Sequence, residues 1–511
     1  MKNHLKLMLL IVAALCWSGV SHAAEAKRTN VLFIISDDLN TYLGCYGDPR
    51  ARTPNIDKLA ARGVKFEKAY CTFPLCGPSR NSFLTGLYPN SSGIVANSQV
   101  FRQTVPRQVS LPQAFRQQGY FAARIGKLYH YNVPNSIGTD GHDDPGSWEM
   151  EINPAGVDRL EEMPKIFSLV SNQFGGVLSW YASPKSEEHH TDSKIATETE
   201  WVLERCAKQK DRPFFLAVGF FRPHTPYVSP KTPYFDMYPE DRMPVVTGVA
   251  EDQADVPAAA LNSRRKEQDA MTDAQRRQAL QAYYASISFM DAQVGKVVNA
   301  LDRLGLAENT VIVFTSDHGY LMGQHGLWQK LSLFEQSVQV PLLMVAPGVS
   351  KKGSVVKTPV SQLDLYPTLT ELAGVKAPAN IQGESLVPLL KDVNAKSRGW
   401  ALTQVMRGNV VRPGIIAPTE GASRGFFGYS LRTARWRYTE WDEGNKGKEL
   451  YDHDKDPKEL TNLANVSEHA ATVAELSKQL QAAVKASLPA DGKMPEFLGS
   501  APMWAPNLTD P

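Results

Sequence analysis

Residues 30–38 read Asn30-Val31-Leu32-Phe33-Ile34-Ile35-Ser36-Asp37-Asp38. An unbroken apolar run rich in β-branched side chains suits a strand buried on both faces of a parallel sheet. The run stops at two acids. Ligands of open α/β sheets bind beyond the carboxyl ends of the strands, so Asp37 and Asp38 stand where chemistry is expected. Thr310–Ser316 (TVIVFTS) is a second run of this kind, and it ends in Asp317-His318-Gly319. Adjacent buried carboxylates repel and are costly without donors or a cation; a hard divalent ion is one remedy. Alone, Asp37-Asp38 also reads as a solvated turn or helix N-cap. Two distant strands that each finish in candidate ligands make a constellation.

The rest of the chain alternates in the same way. Strands are expected at Val64–Tyr70, Tyr120–Ile125, Pro213–Gly219 and Val340–Ala346. Helices are expected at Thr53–Gly63, with Thr53 as cap, and at Leu111–Gly119, Ile195–Ala207, Asp273–Leu304 and Asp364–Gly374. This order predicts an α/β fold with a large mixed, mainly parallel sheet flanked by helices. Lys127 and His130 follow one strand, His224 another, and His325 and Lys330 lie on the loop after Asp317-His318. Residues 132–195 and 225–270 lack periodicity and read as surface excursions suited to substrate recognition. Beyond about 375 the texture becomes antiparallel, so the expected division is a catalytic domain over 24–375 and a smaller C-terminal subdomain, with antiparallel sheet and terminal helix, over 376–511. There, Arg432, Arg435, Arg437, Trp436, Tyr438 and Trp441 form either a carbohydrate-facing surface or a sheet face packed on the main domain.

Composition sets limits. The 511 residues carry a net charge of +2, and no basic stripe suggests nucleic acid. Lys2 and Lys6, the apolar stretch Leu7–Leu15 and Ser21-His22-Ala23 read as a signal peptide over 1–23. No later run is long enough to span a membrane, so an exported protein, periplasmic or secreted, is expected. Beyond the leader, Cys45, Cys71, Cys76 and Cys206 are too few for a disulfide scaffold and lack zinc spacing.

The remaining signal is Cys71–Gly86, CTFPLCGPSRNSFLTG. A helix is expected to start near Ser79, which places Cys76 just before a helix N-terminus, where backbone donors favour negative charge. By itself Cys76 reads as a buried thiol or a thiolate nucleophile. The segment Cys76-Gly77-Pro78-Ser79-Arg80 with Leu84-Thr85-Gly86 resembles the signature of the sulfatase family. The likeness runs on through Asp37-Asp38, Leu43–Gly47, Gly126–His130, Phe214–His224, Thr315–Gly319, His325-Gly326, Lys330 and Asp364–Leu369, and is nearest to the iduronate-2-sulfatase branch.

That resemblance implies an alkaline-phosphatase-like sandwich. It implies that a formylglycine-generating or anaerobic sulfatase-maturating enzyme oxidises Cys76 to formylglycine, whose hydrate is the nucleophile. Asp37, Asp38, Asp317 and His318 would hold one calcium, with residue 76 as a further ligand. His318 departs from calcium's preference for oxygen, so magnesium stays open, although the iduronate-2-sulfatase pattern also has histidine there. Arg80 and Lys127 would steady the hydrate. Lys127, His224 and Lys330 would grip sulfate, with His224 donating to the departing sugar oxygen and His130 helping to expel sulfate. The substrate class implied is a sulfated polysaccharide or oligosaccharide, in keeping with a carbohydrate-degrading role. Two rivals remain: a phosphodiesterase or phosphonate monoester hydrolase of the same superfamily, and a secreted glycan-binding protein.

Overall fold

The computed structural model describes residues 28–408 and 425–495. The leader, residues 409–424 and the tail from 496 lie outside the described residues. Strand β1 (Asn30–Ser36) is wholly buried at the centre of the main sheet. Around it stand β2 (Val64–Tyr70), β3 (Phe121–Gly126), β4 (Met150–Ile152), β5 (Phe214–Phe220), β6 (Thr310–Ser316), β7 (Gln339–Val345) and β8 (Ser354–Val356). Their order is β8-β2-β7-β6-β1-β5-β3-β4, with the short strand Val360–Ser361 also pairing with β2. β1 runs parallel to both β5 and β6, whereas β7 runs antiparallel to its two neighbours. The sheet is therefore mixed, as the sequence suggested.

Alternate side chains of β1 enter opposite cores. Leu32 and Ile34 pack with Ile56, Leu59, Ile195, Val202, Leu280 and Ile287. Val31, Phe33 and Ile35 pack with Phe83, Leu84, Phe115, Leu365 and Leu369. The first layer comprises α1 (Pro54–Arg62), α4 (Thr191–Lys208) and α5 (Asp273–Arg303); the second comprises α2 (Cys76–Thr85), α3 (Leu111–Gln117) and α6 (Leu365–Ala373). In α5, Gly295 makes room for the Asn55 side chain, which an added Cβ would strike. The predicted cap of α1 differs. Thr53 accepts from Gly44 and donates to Asp57, while Asp291, from α5, accepts from the first backbone amides of α1 at Asn55 and Ile56.

Residues 132–195 are more than a surface excursion. They supply the edge strand β4, and Trp148, Leu178 and Trp180 are buried in the two main cores. Ser179–Ser183 also pairs with Tyr227–Pro230 of the second excursion in a small separate sheet.

The C-terminal sheet consists of β9 (Ala401–Arg407), β10 (Phe426–Arg432), β11 (Trp436–Trp441) and β12 (Lys448–Asp452), all antiparallel. One face packs beneath α7 (Ala470–Ala486) through Leu402, Leu431, Tyr438, Leu450, Leu476 and Leu480. The other docks on the main domain. The carbohydrate-facing reading of this sheet is thereby corrected for Arg432, Arg437, Tyr438 and Trp441, which are buried; Arg435 is exposed and pairs with Asp452, and Trp436 beside it is half-buried. Arg437 is held between Glu335 and Glu459, and Tyr70 donates to Glu335 at 2.7 Å. Burial alone would raise the Glu459 carboxyl, but Arg437 and His453 hold it down to about 2. A depressed acid adds stability that is present above its unfolded pKa and is lost as pH falls. Glu459→Gln should cost about 3–5 kcal/mol at neutral pH, since it strands a buried charge. The gap in Tm between parent and variant should narrow as pH falls from about 4.5 towards about 2; thermal melts across that window check this, and a constant gap contradicts it.

Candidate active site

Parallel register brings the predicted residues to one rim. Ser36 lies level with Ser316 and Phe220, and Gly126 with Gly219. Asp37, Asp317, Lys127 and the loop leading to His224 therefore leave the sheet side by side. At Gly219 any side chain would collide with the backbone carbonyl of Lys127, so glycine is required for β3 to turn there.

Helix α2 delivers Cys76 to the same place. The helix begins at Cys76 itself, with Leu75 as extended N-cap, three residues earlier than expected. Pro78 is tolerated in the first turn, where its missing N–H is not needed, and Gly86 ends the helix in the left-handed conformation. Every residue of α2 is buried.

One turn on, Arg80 is fully buried and fully used. Its Nη2 donates to Asp37 Oδ1 and its Nε to Asp317 Oδ2, both at 3.0 Å. Its Nη1 donates to the carbonyls of Lys127 and Leu128 at 3.0 and 2.9 Å. One guanidinium thus ties together the ends of β1, β6 and β3. Lys127 Nζ reaches the other oxygen of Asp37 at 2.5 Å. Burial would raise Asp37, but Lys127, His224, Arg80 and Lys330 hold it well below the usual carboxylate range.

Beside this brace, donor atoms of Asp38, Cys76, Asp317 and His318 lie within 4.8 Å of one another. Cys76 Sγ is 3.3 Å from His318 Nε2 and 3.7 Å from Asp38 Oδ1. Asp38 has left-handed backbone, φ 60°, uncommon without glycine and found at functional sites. His318 Nδ1 lies 2.8 Å from the Gly319 carbonyl. With the proton on Nδ1, as this contact assigns it, the Nε2 lone pair faces Asp38 Oδ1 at 3.2 Å and Asp317 Oδ2 at 3.6 Å. Asp38 Oδ2 is buried without a hydrogen bond, with His224 Nε2 3.5 Å away. Converging lone pairs and an orphaned carboxylate oxygen fit a bound cation, as does the count of carboxylates. Asp37 flanks this cluster, its two oxygens held by Arg80 and Lys127.

Lys330 closes the site. Gln329 and Leu331 on either side adopt φ 71° and 66°, and between them Lys330 Nζ reaches Asp38 Oδ1 at 2.6 Å, Cys76 Sγ at 3.1 Å and His224 Nε2 at 3.3 Å. Burial lowers and Asp38 raises the Lys330 ammonium; the net direction is upward. His224 Nδ1 meets the Thr225 carbonyl at 2.5 Å, and burial pushes this histidine down to about 4 despite Asp38. His130 is also lowered, by burial and then by Lys127 and His142, and its Nδ1 is buried without a partner. His130, His224 and Lys330 line one cavity. Burial raises the Cys76 thiol well above its ordinary value although Lys330 opposes this, so the unmodified thiol is a poor nucleophile.

Three positioning groups escaped the sequence reading. Ser79 donates to the Asp317 carbonyl and Gln362 to the Ser316 carbonyl, bracing the end of β6. Asn97 accepts from Gly77 N at 2.8 Å. Ser79 stands within the quoted signature, and Gln362 lies in the capping box Ser361–Asp364; both signals mark a motif or a helix start rather than this role. His325, within the quoted likeness, instead pairs with Asp252 and stacks on Phe334.

The sequence matches the family profile described as Sulfatase over residues 29–375. The chain belongs to the sulfatase family. A second profile, N-sulphoglucosamine sulphohydrolase, C-terminal, matches residues 323–486. A sulfatase of Formosa agariphila is 32% identical, with 86% of this chain and 84% of that one covered. The iduronate 2-sulfatase of Homo sapiens is 29% identical, with 90% and 96% covered. Among solved structures, the phosphonate monoester hydrolase of Agrobacterium radiobacter superposes with TM-score 0.73 at 25% identity, covering 90% of this chain and 96% of that one. This sulfatase is accordingly a sulfuric ester hydrolase with the alkaline-phosphatase-like architecture. Arg80→Met should leave Asp37 and Asp317 without their shared partner and cost about 3–5 kcal/mol. Denaturant unfolding of the full chain measures this, and a loss below about 1 kcal/mol contradicts the bracing role.

Proposed function

We propose that this sulfatase removes sulfate from a sulfated oligosaccharide or polysaccharide, with Cys76 oxidised to formylglycine by a maturating enzyme. The observation that carries the reading is the placement of Cys76: first residue of a buried helix, its Sγ within 3.1–3.7 Å of Lys330, His318 and Asp38. A thiol silenced by burial is of little use there, whereas an aldehyde hydrate offers a hydroxyl at the same position. Asp38, Asp317 and His318, with residue 76 and the flanking Asp37, would hold calcium. When bound, calcium supplies positive charge against sulfate oxygens.

The protein's own groups do the rest. Arg80 fixes Asp37 and Asp317 and adds positive charge behind residue 76. Lys127 and Lys330 bind sulfate oxygens from two sides. His224 takes up a proton from solvent at Nε2 and hands it to the departing sugar oxygen, while the proton of the attacking hydroxyl passes to solvent. His130, held neutral by burial, takes the proton from the second hydroxyl of the hydrate, so that sulfate leaves and the aldehyde returns. The likeness to an iduronate 2-sulfatase supports a carbohydrate substrate. The leader at 1–23 supports a periplasmic or secreted location, which N-terminal sequencing of the exported chain checks.

The likeness to a phosphonate monoester hydrolase favours a second reading, hydrolysis of a phosphorus ester at the same site. Protein co-expressed with a formylglycine-generating enzyme should release sulfate from aryl and sugar sulfates faster than it cleaves phenyl phosphonates, and Cys76→Ala should abolish release. The opposite preference overturns the main reading. Calcium should raise the Tm of the parent through linkage, by about 2.7 kcal/mol of stability at 100 times Kd. Asp38→Asn and Asp317→Asn should lose that rise; a rise retained in both contradicts the ligand assignment.

A further inference from the structure

Of the residues assigned to the cation, Asp38 alone has left-handed backbone. A residue with a Cβ is strained there, and the strain persists only where neighbours hold it. Three side chains hold this turn. Asp38 N donates to Asp317 Oδ1 at 3.0 Å and Leu39 N to Ser316 Oγ at 2.9 Å, both at the end of β6. The third comes from helix α5. The Tyr283 hydroxyl donates to the Asp38 carbonyl at 2.8 Å and accepts from Asn40 N at 3.1 Å. One phenol oxygen thus bridges the two peptide groups that flank Leu39.

Tyr283 is itself tightly placed. It is buried. Its ring stacks on Tyr320, with centroids 5.5 Å and planes 11° apart, and meets Tyr227 edge-on at 5.5 Å and 73°. Tyr320 lies just beyond His318 in the chain, and Tyr227 just beyond His224. The Tyr227 hydroxyl donates to that of Tyr320 at 3.0 Å, and the Tyr320 carbonyl accepts from Asn40 Nδ2 at 2.9 Å. The phenol is therefore registered against the loops that carry two other groups of the site. Tyr283 does not line the cavity shared by His130, His224 and Lys330, so it reaches the chemistry only through the Asp38 turn. Without its hydroxyl, the turn loses the grip that opposes relaxation towards negative φ. Such relaxation carries the Asp38 carboxylate out of the space between His318, Asp317 and residue 76.

We infer that Tyr283 is a positioning residue for the cation site: by pinning the Asp38 turn it fixes that carboxylate in its ligating place and sets calcium affinity from outside the ligand set. This rests on the calcium reading above.

The test strips matured full-length parent, Tyr283→Phe and Tyr227→Phe with a chelator and titrates each with calcium by calorimetry. Tyr283→Phe keeps the ring and its stacking and removes only the hydroxyl. Tyr227→Phe removes a hydroxyl from the same stack, one that touches no part of the Asp38 turn. Loss of a group that orients a metal ligand typically weakens metal binding 10- to 100-fold. Kd should rise about 10-fold in Tyr283→Phe, the worth of one buried hydrogen bond, and stay near the parent value in Tyr227→Phe. The calcium concentration that gives half-maximal aryl sulfate hydrolysis should move by the same factor in Tyr283→Phe, with kcat regained in excess calcium. An unchanged Kd in Tyr283→Phe overturns the proposal. So does an equal rise in both variants, which marks a general loosening of the tyrosine stack. If the parent binds no calcium, the metal reading has failed instead. Hydrogen exchange of the metal-free forms then decides the hold on Asp38 alone: faster exchange at the Leu39 and Asn40 amides in Tyr283→Phe but not in Tyr227→Phe supports it, and equal exchange overturns it.

Discussion

A single buried guanidinium holds the catalytic end of this sulfatase together. Arg80 touches the carboxylates of Asp37 and Asp317 at the ends of two strands far apart in sequence, and carbonyls at the end of a third. Without it, Asp37 and Asp317 would be buried charges at the centre of the sheet, which is far costlier than an exposed ion pair is worth. With it, the strand ends are locked at spacings that a metal and a tetrahedral anion can use. A lysine would offer one charge but not the fork that spans three strands.

The rest of the site follows from crowding charges of both signs where water is excluded. Burial opposes ionisation of Asp37 and Asp38, and neighbouring cations reverse that for both. The same burial leaves His224 and His130 unprotonated and the Cys76 thiol inert. Lys330 Nζ links this region to residue 76, lying 3.3 Å from His224 Nε2 and 3.1 Å from Cys76 Sγ. Outside the site, the Arg437–Glu335–Glu459 network repeats the device, fastening the C-terminal sheet beneath the segment that follows Lys330.

What could be read from the sequence tracks how local the signal is. β1 and β6 announce themselves because a doubly buried strand has no polar alternation, and the acids that follow them stand out for the same reason. The start of α2 was misplaced by three residues because Gly77 and Pro78 look like a loop, while only the tertiary setting shows that Pro78 sits inside a first turn. Thr53 was a reasonable cap, but Asp291, from a helix over 200 residues away, does that work. The excursions concealed β4 and the core residues Trp148, Leu178 and Trp180 because isolated apolar residues in irregular chain carry no period. Arg437 and Trp441 suit a glycan surface by type, but Arg437 pairs with Glu335 and Glu459 and Trp441 donates to Glu449, and no spacing reveals the Arg437 pairings. Asn97 acts on a backbone group that no pattern in the chain marks, and the capping box around Gln362 marks a helix start, not its contact with the Ser316 carbonyl.

The account turns on what residue 76 becomes. The most direct measurement is the mass of the tryptic fragment Ala69–Arg80 from the full-length protein co-expressed with a formylglycine-generating enzyme, with fragment ions separating position 76 from Cys71. Conversion of the thiol to the aldehyde lowers the mass by about 18 Da, located at 76, and that is the result expected. An intact thiol at 76 in the presence of a competent maturating enzyme would contradict the account and leave a buried, protonated cysteine with no nucleophilic role.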